Sequence, residues 1–572
     1  MIHIRSISAA MAIAALVFAV STCRVTAGVS ETGTSNTSNT GEEKALTSIN
    51  IISGSNEIEK SIAGILAKRI REQSNTRIVA DCAADVNITL KIVRGVGAEG
   101  YTISDDPHGG IDIVGNDERG LLYGVGKFLR TSRFDGGFVA SKWRGSSKPT
   151  CPVRGIYMAV HFNNFYEAAP ADKIEQYLED LALWGMNSVA FHFPPQQFDG
   201  FDDPSARRNI DKIRALMQTA KHLGLDVGLI ECPNIGFKNA PKEYYYQPFP
   251  DDLHRRGNLG TLLCPSKPES RKYLLNQWDE LMNKFSDTKL DFFIAWPYDE
   301  GGCGCDQCWP WGAKGFLSLS KEIAGMFRSK FAGGKFILST WMYDTPDAGE
   351  WEGLAKAMTN ESWVDYIMAD AHEDFPRYPL DHEVPGKLPL INFPEISMWG
   401  QGPWGGYGAN PLPERFQRLW NQASNKLSGG FPYSEGIYED INKVICLQLY
   451  WDKNRPAKDI VKEYISSEFS PEVVEKVAQA VDILESNHRR ERIGENSVKA
   501  WELIKEADAR LRDSVRSSWR WRIIYLRALI DCKMYKTGGK LHDPVLKDAF
   551  AQLTDIYYAQ EAFTSVHPPI VE

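Results

Sequence analysis

The chain has 572 residues, of which 43% are hydrophobic and 24% are charged, a composition typical of globular proteins with large cores. Its formal net charge is −9. Because phosphate groups are bound by basic surfaces, this charge argues against a nucleic-acid or anionic-membrane partner. The length predicts several domains, and the sequence leaves the oligomeric state open.

The N-terminal segment predicts export. Arg5 precedes an apolar run, ISAAMAIAALVFAV, which has signal-peptide length and is too short to span a bilayer as a helix. A small-residue cleavage site ends at Ala27, so residues 1–27 are predicted to be a signal peptide and residues 28–46 a flexible tether. Lipid anchoring at Cys23 is a weaker alternative. We expect a periplasmic or extracellular protein without an integral membrane segment.

Residues 47–145 show the pattern of a small α/β domain. The segments INIIS, VNITLKIV and GIDIV are predicted strands, and EIEKSIAGILAKRIREQ has the apolar spacing of a helix. A second amphipathic helix is predicted in ERGLLYGVGKFLRT, after a helix-start signal at Asn116 and Asp117.

Residues 150–451 alternate short apolar strands with helical segments, which is the pattern of parallel β/α units. The predicted strands are RGIYMAVHF, NSVAFHF, DVGLIE, DFFIAWPY, KFILSTWMY, DYIMADAH, LPLINFPEI and GGFPYSEGI. Eight units over this length predict an α/β fold with a (β/α)8 TIM barrel. Residues 452–572 read as helical throughout and predict a C-terminal helical domain.

Polar and aromatic residues follow the predicted strands. In a (β/α)8 barrel the strand ends form one mouth, where the active site lies. Aromatic rings stack on sugar faces, and carboxylates bind hydroxyls or protonate a glycosidic oxygen, so this set predicts a glycan site. The candidate substrate-binding residues are His161, His192, Trp296, Tyr298, Trp341, Tyr343, His372, Glu395, Trp399 and Glu435.

The carboxylate pair Asp299 and Glu300 is the strongest catalytic candidate. It directly terminates the apolar strand FFIAWPY and precedes Gly301 and Gly302. Side chains alternate along a strand, so both carboxylates can face inward only where the backbone bends. The two glycines allow that bend.

Three cysteines crowd the loop that follows. Cys303, Cys305 and Cys308 can wrap a structural zinc ion if a fourth ligand arrives, for which Cys264 is a candidate. In an exported protein, a disulfide involving Cys308 is an equal alternative. Either arrangement would stiffen the loop that carries Glu300. We expect no catalytic metal, because a closed cysteine site leaves no open position, and no other cofactor.

The segment GNDERGLLYGVGKFLR resembles the α/β domain that precedes the barrel in family 20 β-N-acetylhexosaminidases and in α-glucuronidases. The Asp299–Glu300 pair resembles the Asp-Glu pair at the end of strand four in the family 20 enzymes. The segments DEGGCGCDQC and YSEGIYEDINK are also similar to a related group of bacterial glycosidases that includes endo-β-N-acetylglucosaminidases.

This resemblance implies a glycoside hydrolase acting on N-acetylhexosamine-containing glycans with retention of configuration. Glu300 would be the general acid/base, and Asp299 would orient the substrate's 2-acetamido group, whose oxygen attacks the anomeric carbon. Tyr343 would hydrogen-bond that oxygen, Trp341 and Trp399 would wall the pocket, and Glu435 would hold distal hydroxyls.

The chain departs from the family 20 pattern before the carboxylate pair, where Trp296, Pro297 and Tyr298 replace a His and a Gly-Gly. Two other mechanisms therefore stay open. One is a conventional retaining enzyme with Glu395 or Glu435 as nucleophile. The other is an α-glucuronidase-like exo-glycosidase with a uronate clamp from His161, His192 or His372. A barrel that binds carbohydrate without catalysis is the non-enzymatic alternative.

Overall fold

The computed structural model describes residues 45–80, 83–134, 137–160, 164–251, 261–299, 301–344, 347–360, 362–397, 404, 410–538 and 543–561. The predicted signal peptide, most of the tether and Cys23 lie outside these residues and stay predictions. None of the helices in the described ranges combines the length and the apolar character that a bilayer crossing requires.

A small α/β unit precedes the barrel. Its strands are β1 (Ser48–Ser53), β2 (Arg77–Val79), β3 (Val86–Ile92), β4 (Tyr101–Asp105), β5 (Ile111–Gly115) and β6 (Gly145–Ser147), and its helices are α1 (Glu57–Gln73) and α2 (Glu118–Thr131). The six strands form one sheet in the order β2–β1–β3–β5–β4–β6, on which α1 and α2 pack side by side. Helix α2 begins where the Asp117 carboxylate accepts a hydrogen bond from Gly120 N at 2.8 Å, which satisfies a backbone donor of the first turn.

The central unit is a closed barrel. Its strands are β7 (Val153–Met158), β8 (Ser188–Phe191), β9 (Asp226–Glu231), β12 (Phe292–Ala295), β13 (Lys335–Ser339), β14 (Tyr366–Asp370), β15 (Leu390–Phe393) and β16 (Leu427–Gly430). Two short strands, β10 (Ile235–Gly236) and β11 (Thr261–Leu262), form a separate ribbon, and β17 (Tyr433–Ser434) continues past β16. The helices are α3 (Phe165–Ala168), α4 (Ala171–Leu183), α5 (Pro204–His222), α6 (Pro268–Lys284), α7 (Gly315–Lys330), α8 (Glu350–Ala357), α9 (Arg377–Asp381), α10 (Pro413–Ala423) and α11 (Asp440–Trp451).

All neighbouring barrel strands are parallel, and β16 closes the barrel by pairing with β7 through Gly429 and Gly430. The eight-stranded (β/α)8 prediction is thus confirmed. Strands such as β12 are buried on both faces, because helices cover the outside and side chains fill the inside.

The barrel interior is filled by aromatic side chains that require glycine opposite them. The rings of Phe292 and Phe431 lie 5.2 Å apart. A Cβ atom at Gly155 would lie 2.2 Å from the Phe431 ring, and one at Gly228 would lie 2.3 Å from the Phe292 ring. At the level of these rings the barrel interior is therefore a packed core, and below it a cavity of about 740 Å³, lined in part by Phe292 and Phe431, lies at the start of the strands.

Helices follow the barrel to the end of the described chain: α12 (Ala457–Glu468), α13 (Val474–Ser486), α14 (Asn496–Asp508), α15 (Asp513–Arg516), α16 (Trp519–Thr537) and α17 (Pro544–Tyr557). Helices α13, α14, α16 and α17 pack in succession, and α12 joins them to α2, α10 and α11. The predicted C-terminal helical domain is confirmed.

The N-terminal unit contacts the barrel where the strands begin. Arg154, in β7, is fully buried and pairs with the Glu99 carboxylate. Arg119, in α2, pairs with Asp226 at the start of β9 at 2.5 Å. The N-terminal unit therefore contacts the barrel at the start of β7 and β9, and it also packs against α4 on the side of the barrel.

A buried carboxylate joins the N-terminal unit to the C-terminal helices. Glu463 in α12 lies 3.1 Å from both Lys127 and Arg130 of α2, and 2.5 Å from Arg455. Burial alone would raise the pKa of the Glu463 carboxyl, but Arg130, Lys127 and Arg455 together hold it well below its ordinary value. This cluster places one ionised group in the contact between the two outer units, which Arg512 also joins by donating to the carbonyl oxygens of Gln73 and Phe134.

Candidate functional site

The parallel barrel brings eight predicted site residues to the end of the barrel that forms the mouth. His192 follows β8, Trp296 and Tyr298 follow β12, Trp341 and Tyr343 follow β13, and His372, Glu395 and Glu435 follow β14, β15 and β17. Because the carboxyl ends of parallel strands share one edge, all eight residues lie at the same end of the barrel. These eight are the predicted substrate-binding residues, out of ten, that the structure describes. Two of them, Tyr298 and Tyr343, have hydroxyl groups that are buried in packed structure.

An aromatic wall lines one side of the mouth. The indoles of Trp296 and Trp341 stack with centroids 5.1 Å apart and planes inclined by 27°, and Phe393 lies 4.6 Å from Trp296. His372 meets Trp341 edge-on, with ring centroids 6.0 Å apart. Trp296 is partly exposed, so its surface is available to a flat apolar face such as that of a sugar ring.

His192 and Glu231 form a buried pair at the ends of β8 and β9. The Nδ1 atom of His192 lies 2.9 Å from Glu231 Oε2 and 3.1 Å from the carbonyl oxygen of Ile230. The other carboxylate oxygen of Glu231 accepts the backbone N–H of Phe193 at 2.8 Å. These contacts fix the ring through Nδ1 and direct Nε2 away from Glu231.

Glu395 is held rigidly next to the aromatic wall. Its Oε1 accepts the backbone N–H of Ser397 at 2.8 Å and the Ser397 hydroxyl at 2.5 Å. Its Oε2 lies 3.8 Å from His372 Nδ1, and the residue is only 4% exposed. The site thus contains a hydrogen-bonded carboxylate beside His372, whose ring contacts Trp341.

Tyr433 lies between two carboxylates. Its hydroxyl donates to Glu435 Oε1 at 2.7 Å, and its backbone bridges to Glu395. Burial, followed by the charges of Glu435 and Glu395, raises the pKa of Tyr433 well above its ordinary value. Tyr433 therefore stays a neutral hydrogen-bond donor, and it orients Glu435 at the mouth.

The loop after β12 turns at Asp299 itself. Asp299 has φ 79°, a left-handed conformation, two residues before the first of the glycines. Gly302 (φ 134°) packs so closely on Phe249 that a Cβ atom would lie 2.3 Å from its ring. Asn234 clamps this turn: its Oδ1 accepts from Gly302 N at 3.0 Å, and its Nδ2 donates to the carbonyl oxygens of Gly302 at 2.8 Å and Leu263 at 2.9 Å. Asp299 is partly exposed.

Tyr298 and Tyr343 take part in a buried network behind the loop. The Tyr298 hydroxyl donates to Glu350 Oε1, which also accepts Gly312 N at 2.8 Å, and the Tyr343 hydroxyl donates to Gly312 O at 2.9 Å. Both tyrosines and Glu350 are 0% exposed. These hydroxyls support the loop from inside the protein, and the prediction that they contact a substrate stays untested.

The structure gathers the four predicted cysteines. The Sγ atoms of Cys264, Cys303, Cys305 and Cys308 all lie within 4.8 Å of one another. Every cysteine in the described ranges is a free thiol.

His161, Glu300 and Trp399 lie outside the described residues, so their predicted roles stay predictions. For Glu300 this means that the setting of the catalytic candidate is known from its neighbours, Asp299 and Gly301.

Three residues that organise the site were not among the predicted substrate-binding or catalytic residues. Glu231 and Asn234 stand at the end of the third predicted strand, β9, where the strand-end rule does mark them as polar residues. Glu350 begins α8, far from any predicted site residue in sequence, and no pattern marked it as the partner of Tyr298.

Solved structures that share this fold include three sugar-cleaving enzymes. A family GH115 4-O-methyl-α-glucuronidase with specificity for decorated arabinogalactans superimposes with a TM-score of 0.60 at 10% identity, over 90% of this chain and 76% of its own. A GH89 enzyme from Clostridium perfringens, in complex with its substrate GlcNAc-α-1,4-galactose, gives 0.57 at 13% identity, over 82% of this chain and 62% of its own. A β-hexosaminidase from Streptomyces plicatus, in complex with GlcNAc, gives 0.50 at 14% identity, over 79% of this chain and 90% of its own. No protein-family model and no curated protein sequence matches the chain.

The chain therefore has the (β/α)8 fold found in several families of glycoside hydrolases. At these identities the likeness defines the fold, and the activity has to be argued from the residues at the mouth.

Proposed function

We propose that the chain is an exported glycoside hydrolase that cleaves N-acetylhexosamine-containing glycans with retention of configuration. One observation carries the proposal: carboxylates from the ends of β9, β12, β15 and β17 surround a mouth walled by the stacked indoles of Trp296 and Trp341. A stacking wall beside fixed carboxylates is what binding a pyranose ring and breaking its glycosidic bond require.

Asp299 and Glu300 supply the chemistry. Glu300 acts as the general acid that protonates the leaving oxygen, and later as the base that activates water. Asp299 orients the 2-acetamido group, whose carbonyl oxygen attacks the anomeric carbon, so that no enzyme nucleophile is needed. The clamp from Asn234 to Gly302 supports this assignment, because it holds the turn in one conformation.

A second mechanism uses an enzyme carboxylate as the nucleophile. It is favoured by Glu395, which Ser397 holds beside His372, and by Glu435, which accepts the Tyr433 hydroxyl. The burial of the Tyr343 hydroxyl against Gly312 also favours it, because that hydroxyl was the expected partner of the acetamido oxygen. A substrate without an acetamido group, such as an α-glucuronide, would then be accepted.

The test is hydrolysis of aryl glycosides of β-GlcNAc, β-GalNAc, β-Glc and α-GlcA by the wild type and by Glu300→Gln, Asp299→Asn and Glu395→Gln. Glu352→Gln is the matched control, because Glu352 is exposed on α8. We expect turnover of the N-acetyl substrates, a fall of about 100-fold or more in Glu300→Gln and Asp299→Asn, and full activity in the control. Turnover of sugars lacking the acetamido group would refute acetamido participation.

Two probes then separate the mechanisms. An N-trifluoroacetyl substrate has a weaker carbonyl nucleophile, so its kcat falls steeply only if the acetamido group attacks. A 2-deoxy-2-fluoro glycoside traps a covalent glycosyl-enzyme, which mass spectrometry would locate on Glu395 or Glu435 only if an enzyme carboxylate attacks. Binding of intact glycans without turnover of any substrate would refute the enzymatic function.

A further inference from the structure

We propose that Cys264, Cys303, Cys305 and Cys308 bind one Zn²⁺ ion in a closed tetrahedral site that fixes the loop carrying the catalytic carboxylates. The site is structural, so it goes beyond the proposed hydrolytic function and does not depend on it. The observation behind it is the convergence of four buried sulfur atoms from two separate segments of the chain.

The sulfur positions match a metal better than a disulfide. With zinc–sulfur bonds of about 2.3 Å, the sulfurs of a tetrahedral site stand about 3.8 Å apart. Cys264 Sγ and Cys305 Sγ are 3.7 Å apart, and all four sulfurs lie within 4.8 Å of one another. A disulfide needs two sulfurs about 2.05 Å apart, and would leave the other two sulfurs of the cluster buried beside it.

The surroundings suit a negatively charged cluster. Four thiolates around Zn²⁺ carry a net charge of −2, which burial disfavours unless hydrogen-bond donors surround the sulfurs. The Ser266 hydroxyl lies 2.9 Å from Cys264 Sγ and 3.4 Å from Cys305 Sγ. The backbone N–H groups of Gln247 and Cys305 are directed at Cys303 Sγ. Such donors stabilise thiolates, which are the zinc ligands.

The metal would join two segments that secondary structure does not hold together. Cys264 follows β11, and the other three cysteines lie in the loop after β12. Gly302 in that loop is bound by Asn234, which also binds Leu263, the neighbour of Cys264. A zinc ion would therefore add a second link between the segment of Cys264 and the loop that follows Asp299, beside the hydrogen bonds of Asn234. Four sulfur ligands leave no position for water or substrate, so the ion takes no part in catalysis.

The experiment is metal analysis of the full chain, purified without chelator, together with a count of free thiols in the denatured protein. We expect about one zinc per chain, with loss of the metal in Cys303→Ser and Cys308→Ser. Cys446→Ser is the matched control, because Cys446 is equally buried but lies alone in α11, and it should retain the zinc.

A disulfide among the four cysteines, detected by mass or thiol count, would overturn the proposal, and so would a chain that stays metal-free when supplied with zinc. If the serine variants fail to fold, the absorption spectrum of the cobalt-substituted wild type is the second measurement. Tetrahedral thiolate ligation of cobalt gives intense visible d–d bands and sulfur-to-cobalt charge-transfer bands. Absence of these bands would overturn the proposal. None of these readouts requires hydrolysis, so failure of the metal site and failure of the glycosidase function are distinguishable.

Discussion

The buried side chain of His488 should make the free energy of unfolding depend on pH. It follows α13, is 9% exposed, and neither ring nitrogen has a hydrogen-bond partner among the residues that the structure describes. Burial, followed by the charges of Arg527, Arg415, Arg489 and Arg492, lowers the pKa of the imidazole from its ordinary value of 6.5 to about 3. The ring is therefore neutral in the folded protein, whereas it takes up a proton in the unfolded chain below pH 6.5.

The difference in proton binding between the folded and unfolded states sets how the free energy of unfolding changes with pH. Because the unfolded state binds the extra proton, the stabilising contribution of a neutral His488 is present above pH 6.5 and is lost as the pH falls toward 3. The loss relative to pH 8 amounts to about 2 kcal/mol at pH 5 and about 3 kcal/mol at pH 4. Glu485 acts in the opposite sense over part of this range, because burial raises the pKa of its carboxyl to about 7.

The assay is urea unfolding at pH 8, 6 and 5 for the wild type, His488→Gln and the control His222→Gln, whose histidine is exposed at the end of α5. Glu485 contributes to all three proteins, so the comparison isolates His488. Between pH 8 and pH 5 the wild type and the control should lose about 2 kcal/mol more than His488→Gln. Parallel pH curves for the wild type and His488→Gln would refute a neutral buried imidazole.

Three further predictions concern single contacts. Asn234→Ala removes the hydrogen bonds to Gly302, so it should lower the free energy of unfolding by about 2–4 kcal/mol and slow the proposed glycoside turnover by about 10-fold or more. An unchanged kcat together with lowered stability would argue against a positioning role for Asn234. Glu350→Ala should cost about 2–4 kcal/mol in urea unfolding, because the Tyr298 hydroxyl and the Gly312 N–H lose their acceptor, while Glu352→Ala should cost little. Glu463→Gln should lower the free energy of unfolding by about 3–5 kcal/mol, because the buried cations lose the carboxylate that pairs with them. A smaller effect than that of Glu475→Gln, which removes the exposed ion pair with Lys462, would contradict the importance of the cluster.

The barrel was predictable because its signal is local and repeated. Each of the eight strands is a short apolar run, and each is followed by a helical segment, so the pattern needs no knowledge of distant contacts. The strand-end rule then located His192, Glu395 and Glu435 without any coordinates. The same rule also selected Tyr298 and Tyr343, because it identifies a position along the strand and says nothing about where a hydroxyl is bound.

The partners of these residues were not predictable from sequence. That His192 pairs with Glu231, or that Glu350 receives the Tyr298 hydroxyl, depends on the register of neighbouring strands and on a helix that starts 52 residues later. The turn at Asp299 is a further case: the glycines at 301 and 302 suggested the bend, and Gly302 does have a positive φ, but the left-handed conformation of the aspartate itself was not predicted. Side-chain contacts between distant segments leave no periodic trace in a sequence.

The position of the N-terminal unit makes it a suitable attachment site for immobilising the protein. Its Arg119 and Glu99 pair with Asp226 and Arg154 at the start of β9 and β7, away from the strand ends that carry the predicted site residues. A chain immobilised on a support through the N-terminal unit would present its mouth to the solution. Such a preparation should accept large soluble glycans as readily as small aryl glycosides, whereas attachment through the loops after β12 or β15 would block the entrance.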